Sequence, residues 1–236
     1  MTDIKKNVDK LWEAVAIAAL NAGRNPDEIS ILAASKYTDR AGVEALIRAG
    51  INLIGENRVQ DAKEKLTESE TQKDIHDIFP DCKIHFIGHL QTNKVNRALK
   101  IFDTVDTVDR TYLADALQKR LETLDRILPV LVEVKLTGEG SKTGCPESFL
   151  PELFHHIWSS CANLEVRGVM GMGPWDPTPE VARPYYNKLK KIFDRFRMLS
   201  PQPSKFSIIS MGMSADFHVA IQEGATLLRI GRALFA

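Results

Sequence analysis

Eight short apolar runs, each followed by a longer segment of helical rhythm, constrain this chain more than any other feature. The runs are ISILAAS (29–35), INLIGE (51–56), KIHFIG (83–88), DTVDTV (103–108), LPVLVEVKL (128–136), LEVRGVMGM (164–172), KFSIIS (205–210) and ATLLRIG (225–231). Between them, apolar positions recurring at helical spacing predict helices over 39–49, 57–69, 91–101, 110–126, 147–161, 180–199 and 215–223. Strands that are apolar along most of their length, joined by crossover helices, require a parallel sheet covered on both faces. Eight such units in 236 residues, with no low-complexity linker or break in composition, predict one α/β domain over 1–236, a single (β/α)8 TIM-type barrel. An open doubly wound sheet is the alternative. It enters at the fourth run, where the aspartates of DTVDTVD are polar for a barrel strand, although alternation can send Val105 and Val108 to different faces. Residues 1–25 read as an extra N-terminal helix packed over the barrel or its lower rim. Acids and lysines interrupt the apolar face of VDKLWEAVAIAAL too often for a signal peptide or a spanning helix.

Charge and cysteine usage narrow the function classes. Lys plus Arg and Asp plus Glu both number 31, so the one-sided basic charge of a nucleic-acid binder is missing. With no apolar run of membrane-spanning length, the expectation is a cytoplasmic protein with neither nucleic-acid nor membrane partners. Cys82, Cys145 and Cys161 are far apart and form no CxxC pair, which reads as reduced thiols rather than a disulfide framework or a zinc site. His85 and His89 are four apart, but along an extended strand and its turn that spacing separates the rings, and no metal site is predicted. GEGSKTG (138–144) lacks the GxxxxGK[ST] pattern of a phosphate-binding loop, and its SKTG is expected to line the barrel mouth.

In barrels of this kind, sites lie at the carboxyl ends of the strands. Here those ends read SKYTD, GENRVQ, GHLQTNK, VDR, KLTGEGSKTG, GMGPW, SMGMSAD and RIGRA, a ring of small, polar and charged residues. Lys36 closes the first run. A strand-end lysine ordinarily packs its stem and keeps its ammonium in water. Held at the mouth of an apolar barrel and partly desolvated, it would instead have a larger neutral fraction, able to condense with an aldehyde. After the seventh run come Ser210, Gly212, where backbone can approach a ligand, and Ser214, placed to cap the next helix. Gly231 and Arg232 close the eighth run, and the loops after strands seven and eight are the recurrent phosphate site of the fold. Arg229 shares the face of Gly231 by strand alternation. An aldehyde-reactive lysine, a phosphate cup and an arginine inside one ring describe pyridoxal 5′-phosphate.

These segments, ILAASK, IGENRVQDAKEK, HFIGHLQTNK, VDTVDR, EGSKTG, VRGVM and SMGMSAD…VAIQEGATLLRIGRALF, resemble in order and over nearly the whole chain the pyridoxal phosphate homeostasis (YggS/PROSC) family. The resemblance implies a barrel like the N-terminal one of alanine racemase. It places Lys36 as the internal aldimine and Asn57 beside the ring. Ser210 and the backbones of SMGMS, with Gly212, Met213 and Ser214, and of RIG, with Gly231, would surround the phosphate, and Arg229 would face the pyridine nitrogen. GMGPW departs from an IP dipeptide found in many relatives. Arginine beside the pyridine nitrogen makes the ring a weak electron sink. With no residues left over for a second domain to supply an opposing acid or base, the reading is a binder that holds the cofactor and releases it to apo-enzymes that need it, a monomer with no catalytic residues of its own. A slow racemase-like enzyme and a cofactor-free Schiff-base aldolase are the alternatives.

Overall fold

The computed structural model describes residues 3–69, 72–138, 143–174 and 178–235. Eight strands form the sheet: β1 Ser30–Ala34, β2 Leu53–Glu56, β3 Lys83–Phe86, β4 Thr104–Val108, β5 Leu128–Val134, β6 Leu164–Gly171, β7 Ile208–Ser210 and β8 Leu227–Ile230. Each pairs in parallel with the next, and β8 returns to β1 over Ser30↔Leu227 to Ala33↔Ile230, closing the barrel and excluding the open sheet. The seam between β7 and β8 is short, with the single register pair Ser210↔Leu227. All of β4 is buried, its aspartate included, because Asp106 faces His85 rather than an apolar neighbour. One glycine is a steric requirement of this sheet. Gly168 sits at φ +153° where the β5–β6 register slips, and a Cβ there would lie 1.8 Å from the Ile208 carbonyl oxygen.

The helices are α1 Ile4–Asn21, α2 Arg40–Arg48, α3 Val59–Leu66, α4 Ile75–Ile78, α5 Val95–Ala98, α6 Thr111–Leu124, α7 Leu150–Ser160, α8 Arg183–Leu199, α9 Phe217–Gln222 and α10 Arg232–Phe235. Their starts follow local chemistry where a cap is available: the side chain of Asp3 accepts from the Lys6 N–H, and that of Asp39 from the Gly42 N–H. The expected N-terminal helix is α1, whose buried Val8, Leu11, Val15 and Ala19 recur at helical spacing and pack it against α2, α9 and α10. The helix expected over 91–101 is instead a 3₁₀ turn, Thr92–Lys94, followed by the four residues of α5. Thr92, Asn93 and Asn96 are weak helix formers whose side chains compete for the backbone.

The apolar core has two parts. The larger lies between the strands and the surrounding helices. The smaller fills the barrel itself, where Leu32, Leu131, Met170 and Leu227 meet. Because side chains alternate, the inward positions two residues further on are Ala34, Glu133 and Arg229, one layer nearer the carboxyl rim. The plug is therefore greasy below and charged above, and the charged layer lies beneath the mouth. No described helix is long and apolar enough to cross a membrane.

Candidate functional site

A cavity of about 610 Å³ opens at the carboxyl end of the barrel, over the ends of β1 and β8. Lys36, Met213, Ser214, Arg229, Gly231 and Arg232, six of the residues anticipated from the sequence, line it together. Ala34, Tyr37, Pro174, Ala215 and Asp216 complete the described wall. Lys36 lies in a 3₁₀ turn, Ser35–Tyr37, directly after β1. Its side chain is exposed rather than desolvated, with Nζ 4.9 Å from the centre of the Tyr37 ring. That corrects the expected partial burial: the turn lifts the residue out of the barrel, while Ser35 takes the buried place. A Cβ added to Gly231 would come within 3.1 Å of the Tyr37 ring and 3.6 Å of the Ala34 side chain, so a larger residue there would crowd the Tyr37 ring.

The turn bearing Lys36 is braced from below. Glu56, fully buried at the end of β2, accepts a hydrogen bond from the Ser35 hydroxyl and an ion pair from Lys65 Nζ at 2.7 Å. Lys65 Nζ also donates to the Ser35 carbonyl at 2.8 Å. One ammonium of α3 thus ties the exit of β1 to the exit of β2. The second Glu56 oxygen, Oε2, is buried without a hydrogen-bond partner, which leaves the carboxylate dependent on Lys65 for its counter-charge and on the Ser35 hydroxyl.

Beneath the cavity the charged layer is held by fixed contacts. Arg229 is 6% exposed; it donates from Nη1 to the Ser210 hydroxyl at 2.7 Å and from Nη2 to the Gly171 carbonyl at 2.9 Å, spanning β6, β7 and β8. Burial pulls its pKa down from the ordinary guanidinium value, opposed by the acidic groups of Tyr186, Asp106, Glu133 and Asp216 around it. Glu133 is pushed up to about 7, chiefly by burial, against a hydrogen bond from Thr143 Oγ1 at 2.7 Å. His85 Nδ1 lies 3.1 Å from both oxygens of Asp106. Burial works against the His85 cation, but the Asp106 charge and hydrogen bond prevail and its pKa is raised.

Ser210, Gly212 and Asn57 do not border this cavity, and other residues singled out in the sequence have partners different from those expected. Ser210 is fully buried against Arg229 and does not border the cavity. Gly212, at φ +91°, makes its close approach to the Ala220 side chain, 2.5 Å from where its Cβ would stand. Ser214 does not cap α9; its oxygen instead accepts the Ala233 N–H at 3.3 Å, at the start of α10. Asn57 borders a separate recess between the β2 and β3 exits. His85 and His89 serve different partners, His89 standing 4.0 Å from Asp109. Of the SKTG segment, residues 141 and 142 lie outside the described residues, while Thr143 and Gly144 turn to Glu133 and Asp109.

Asp216 is a further residue of the wall, beyond those the sequence pattern singles out. Its Oδ1 accepts the Met213 N–H at 2.7 Å and its Oδ2 the Tyr186 hydroxyl at 2.7 Å, which pins the loop between β7 and α9. Burial, then the Asp216 charge, raise the Tyr186 pKa and keep it a donor. Asp216 stood in SMGMSAD as a visible signal; Tyr186, 30 residues upstream on α8, offered none. On the outer helices, Asp115, His156 and Cys161 bring ligand-type atoms within 4.8 Å of one another, with His156 Nε2 already 2.6 Å from Asp115 Oδ1.

An exposed amine, a buried guanidinium and a hydroxyl-bearing turn around one cavity, at the carboxyl end of a closed parallel barrel, define a small-molecule-binding (β/α)8 barrel. No family model matches the chain. It is 36% identical over 234 residues to the pyridoxal phosphate homeostasis protein of Aquifex aeolicus, covering 98% of this chain and 96% of that relative. The structure of PipY from Synechococcus elongatus with pyridoxal phosphate bound matches with a TM-score of 0.77 and 29% identity, over 94% of this chain and all of that one. Alanine racemase from Bacillus anthracis shares the fold alone, at TM-score 0.68 and 14% identity, with the match spanning 55% of the racemase chain. The chain belongs to the pyridoxal phosphate homeostasis protein family.

Proposed function

We propose that this protein binds pyridoxal 5′-phosphate in the cavity at the end of β1 and β8, with Lys36 as the covalent anchor, and holds it for release to enzymes that require it. The observation that carries this reading is the convergence of Lys36, Arg229, Ser214, Gly231 and Arg232 on one cavity. The residues fit the group: an amine for the aldehyde, and a hydroxyl, a cation and a turn without a Cβ for the phosphate. When bound, the cofactor supplies a reversible imine-forming carbonyl and a conjugated ring able to take up electrons. Ser214 and Arg232 seat the anion, and Tyr37 lies against Lys36 and fixes the side from which the amine reaches. Arg229 is a donor without an acceptor, so it can hold a ring nitrogen but cannot accept a hydrogen bond from it.

The same wall argues for holding over turnover. Among the described residues lining the cavity, Lys36 is the one amine and Asp216 the one carboxylate, and Asp216 is committed to Met213 and Tyr186. Moving an α-proton from one face to the other requires an uncommitted group on each side. The proposal extends to a cytoplasmic monomer that functions as one unit over 1–236, with apo-enzymes as the recipients.

Reduction with borohydride in the presence of pyridoxal phosphate is expected to fix a phosphopyridoxyl group on the peptide containing Lys36, read by mass spectrometry. A label on Lys94, on Lys142 or nowhere would overturn the assignment. Incubation of the loaded protein with L-alanine in deuterated water is expected to give slow α-proton exchange without inversion. Inversion at about 1 s⁻¹ or faster, a rate typical of enzymes, would make it a racemase instead.

A further inference from the structure

Asn57, which the family resemblance sets beside the cofactor ring, borders a recess distinct from the Lys36 cavity. The recess lies at the same end of the barrel, between the exits of β2 and β3, and its volume is about 220 Å³. No lining residue is shared with the Lys36 cavity. Val59, Phe86 and Leu90, all buried, give it an apolar floor, and Phe86 is held there by an edge-on contact with Phe102 at 5.0 Å between ring centres. Around the rim stand three permanent cations, Arg58, Lys94 and Arg97.

The charges of this rim are unbalanced. None of the three cations has a hydrogen-bond or ion-pair partner among the described residues, whereas Arg40, Lys65, Arg183 and Lys190 each meet a carboxylate. Among the described residues, no carboxylate lines the recess. Glu64 and Asp109 engage neutral or adjacent groups of the lining and not the three cations: Glu64 accepts from Gln60 Nε2 at 2.6 Å, and Asp109 is held by Arg110 and stands 4.0 Å from His89. Like charges gathered without counter-charge repel one another, so the arrangement is relieved by an anion. The amides of Asn57 and Gln91 add neutral donors at the same rim.

We propose that this recess is a second ligand site, for a small phosphate monoester whose apolar body rests on Phe86 and Leu90 and whose anion is held by Arg58, Lys94 and Arg97. The size points to a small ligand, since pockets for drug-sized molecules run to roughly 300–1,000 Å³. The charge favours phosphate over carboxylate, because a phosphate monoester carries about −1.5 to −2 at neutral pH. Three converging cations match that better than a single negative charge.

The test is calorimetric titration of phenyl phosphate into protein whose Lys36 cavity has first been filled with pyridoxal phosphate and sealed with borohydride. Saturable binding is expected, falling about tenfold in each of Arg58→Ala and Arg97→Ala through loss of a charged hydrogen bond. It should weaken as salt is raised and be unchanged in Lys190→Ala. Absence of binding, equal binding of benzoate, or equal loss in Lys190→Ala would overturn the proposal. Melting curves of the variants confirm folding, since the substituted arginines are exposed. If the Lys36 cavity takes no pyridoxal phosphate, the same titration on untreated protein still decides the question. Binding lost in Arg58→Ala but kept in Arg232→Ala belongs to the recess, and the reverse places it in the cavity and refutes the second site.

Discussion

The mouth of the barrel and the layer just beneath it are built from the same kinds of residue but held in opposite ways. Below, Arg229, Glu133, Asp106 and His85 are buried and tied to named partners at hydrogen-bond distance. Above, Lys36 and Arg232 are exposed, and Lys36 touches only the face of a ring. Buried polar groups must find partners on folding or their desolvation is uncompensated. Exposed ones can wait for a ligand. The lower layer is therefore set by folding and the upper one by binding, and substitutions in the two should separate stability from affinity.

The largest expected effect lies in the brace under Lys36. Lys65→Met leaves the Glu56 carboxylate buried and unpaired, which costs about 3–5 kcal/mol in denaturant unfolding. It should also slow labelling of Lys36 by pyridoxal phosphate as the turn loosens. A loss confined to labelling, with stability intact, would put the brace in the binding layer and break the comparison.

Glu133 gives the next largest effect, through pH. Its folded-state pKa of about 7 lies above the 4.5 of the free side chain. Between those values the folded protein keeps a proton that the unfolded chain gives up, so its contribution to stability declines as pH rises across the window. The decline amounts to at most about 3 kcal/mol. Glu133→Gln, neutral throughout, is expected to flatten that part of the stability profile, measured by urea unfolding from pH 4.5 to 7.5. An unchanged slope would mean that Glu133 ionises in the folded state as freely as in water.

At the mouth the readout should switch to affinity. Gly231→Val crowds the Tyr37 ring and the space beside Ala34, and weaker binding is expected. Pyridoxal phosphate should suffer more than unphosphorylated pyridoxal, and equal losses would point to general distortion. The smallest expected effect on folding is that of Arg232→Ala, within about 0.5 kcal/mol by thermal melting, as for an exposed site. Phosphate-dependent affinity should still fall about tenfold, the worth of one charged hydrogen bond.

How far this layout was legible depended on the range of the interactions that create it. Periodicity is local, so the eight strands and the closing of the barrel could be read directly, and strand alternation put Arg229 and Gly231 on one face. Turn geometry was only half visible: the residue at the end of β1 stood out, but not that a 3₁₀ turn would exchange Lys36 for Ser35 at the buried position. Ser210 looked like a ligand donor because its place at a strand end was readable and its partner, on the neighbouring strand, was not. The brace of Glu56 and Lys65 and the pin of Tyr186 and Asp216 join residues 9 and 30 apart, through the fold, and no local pattern announces either.

The reach of Arg229 across β6, β7 and β8 makes it a clasp as well as a floor. The β7–β8 seam has one register pair, with backbone hydrogen bonds from Thr226 to Ile209, Met211 to Leu227 and Arg229 to Gly212 beside it, and the guanidinium adds a side-chain tie across the same edge. A ligand resting on the clasp weights it shut. Occupancy of the cavity and closure of the wall are then one equilibrium, and a filled protein should exchange the backbone amides of these three strands more slowly than an empty one, far beyond the atoms the ligand touches.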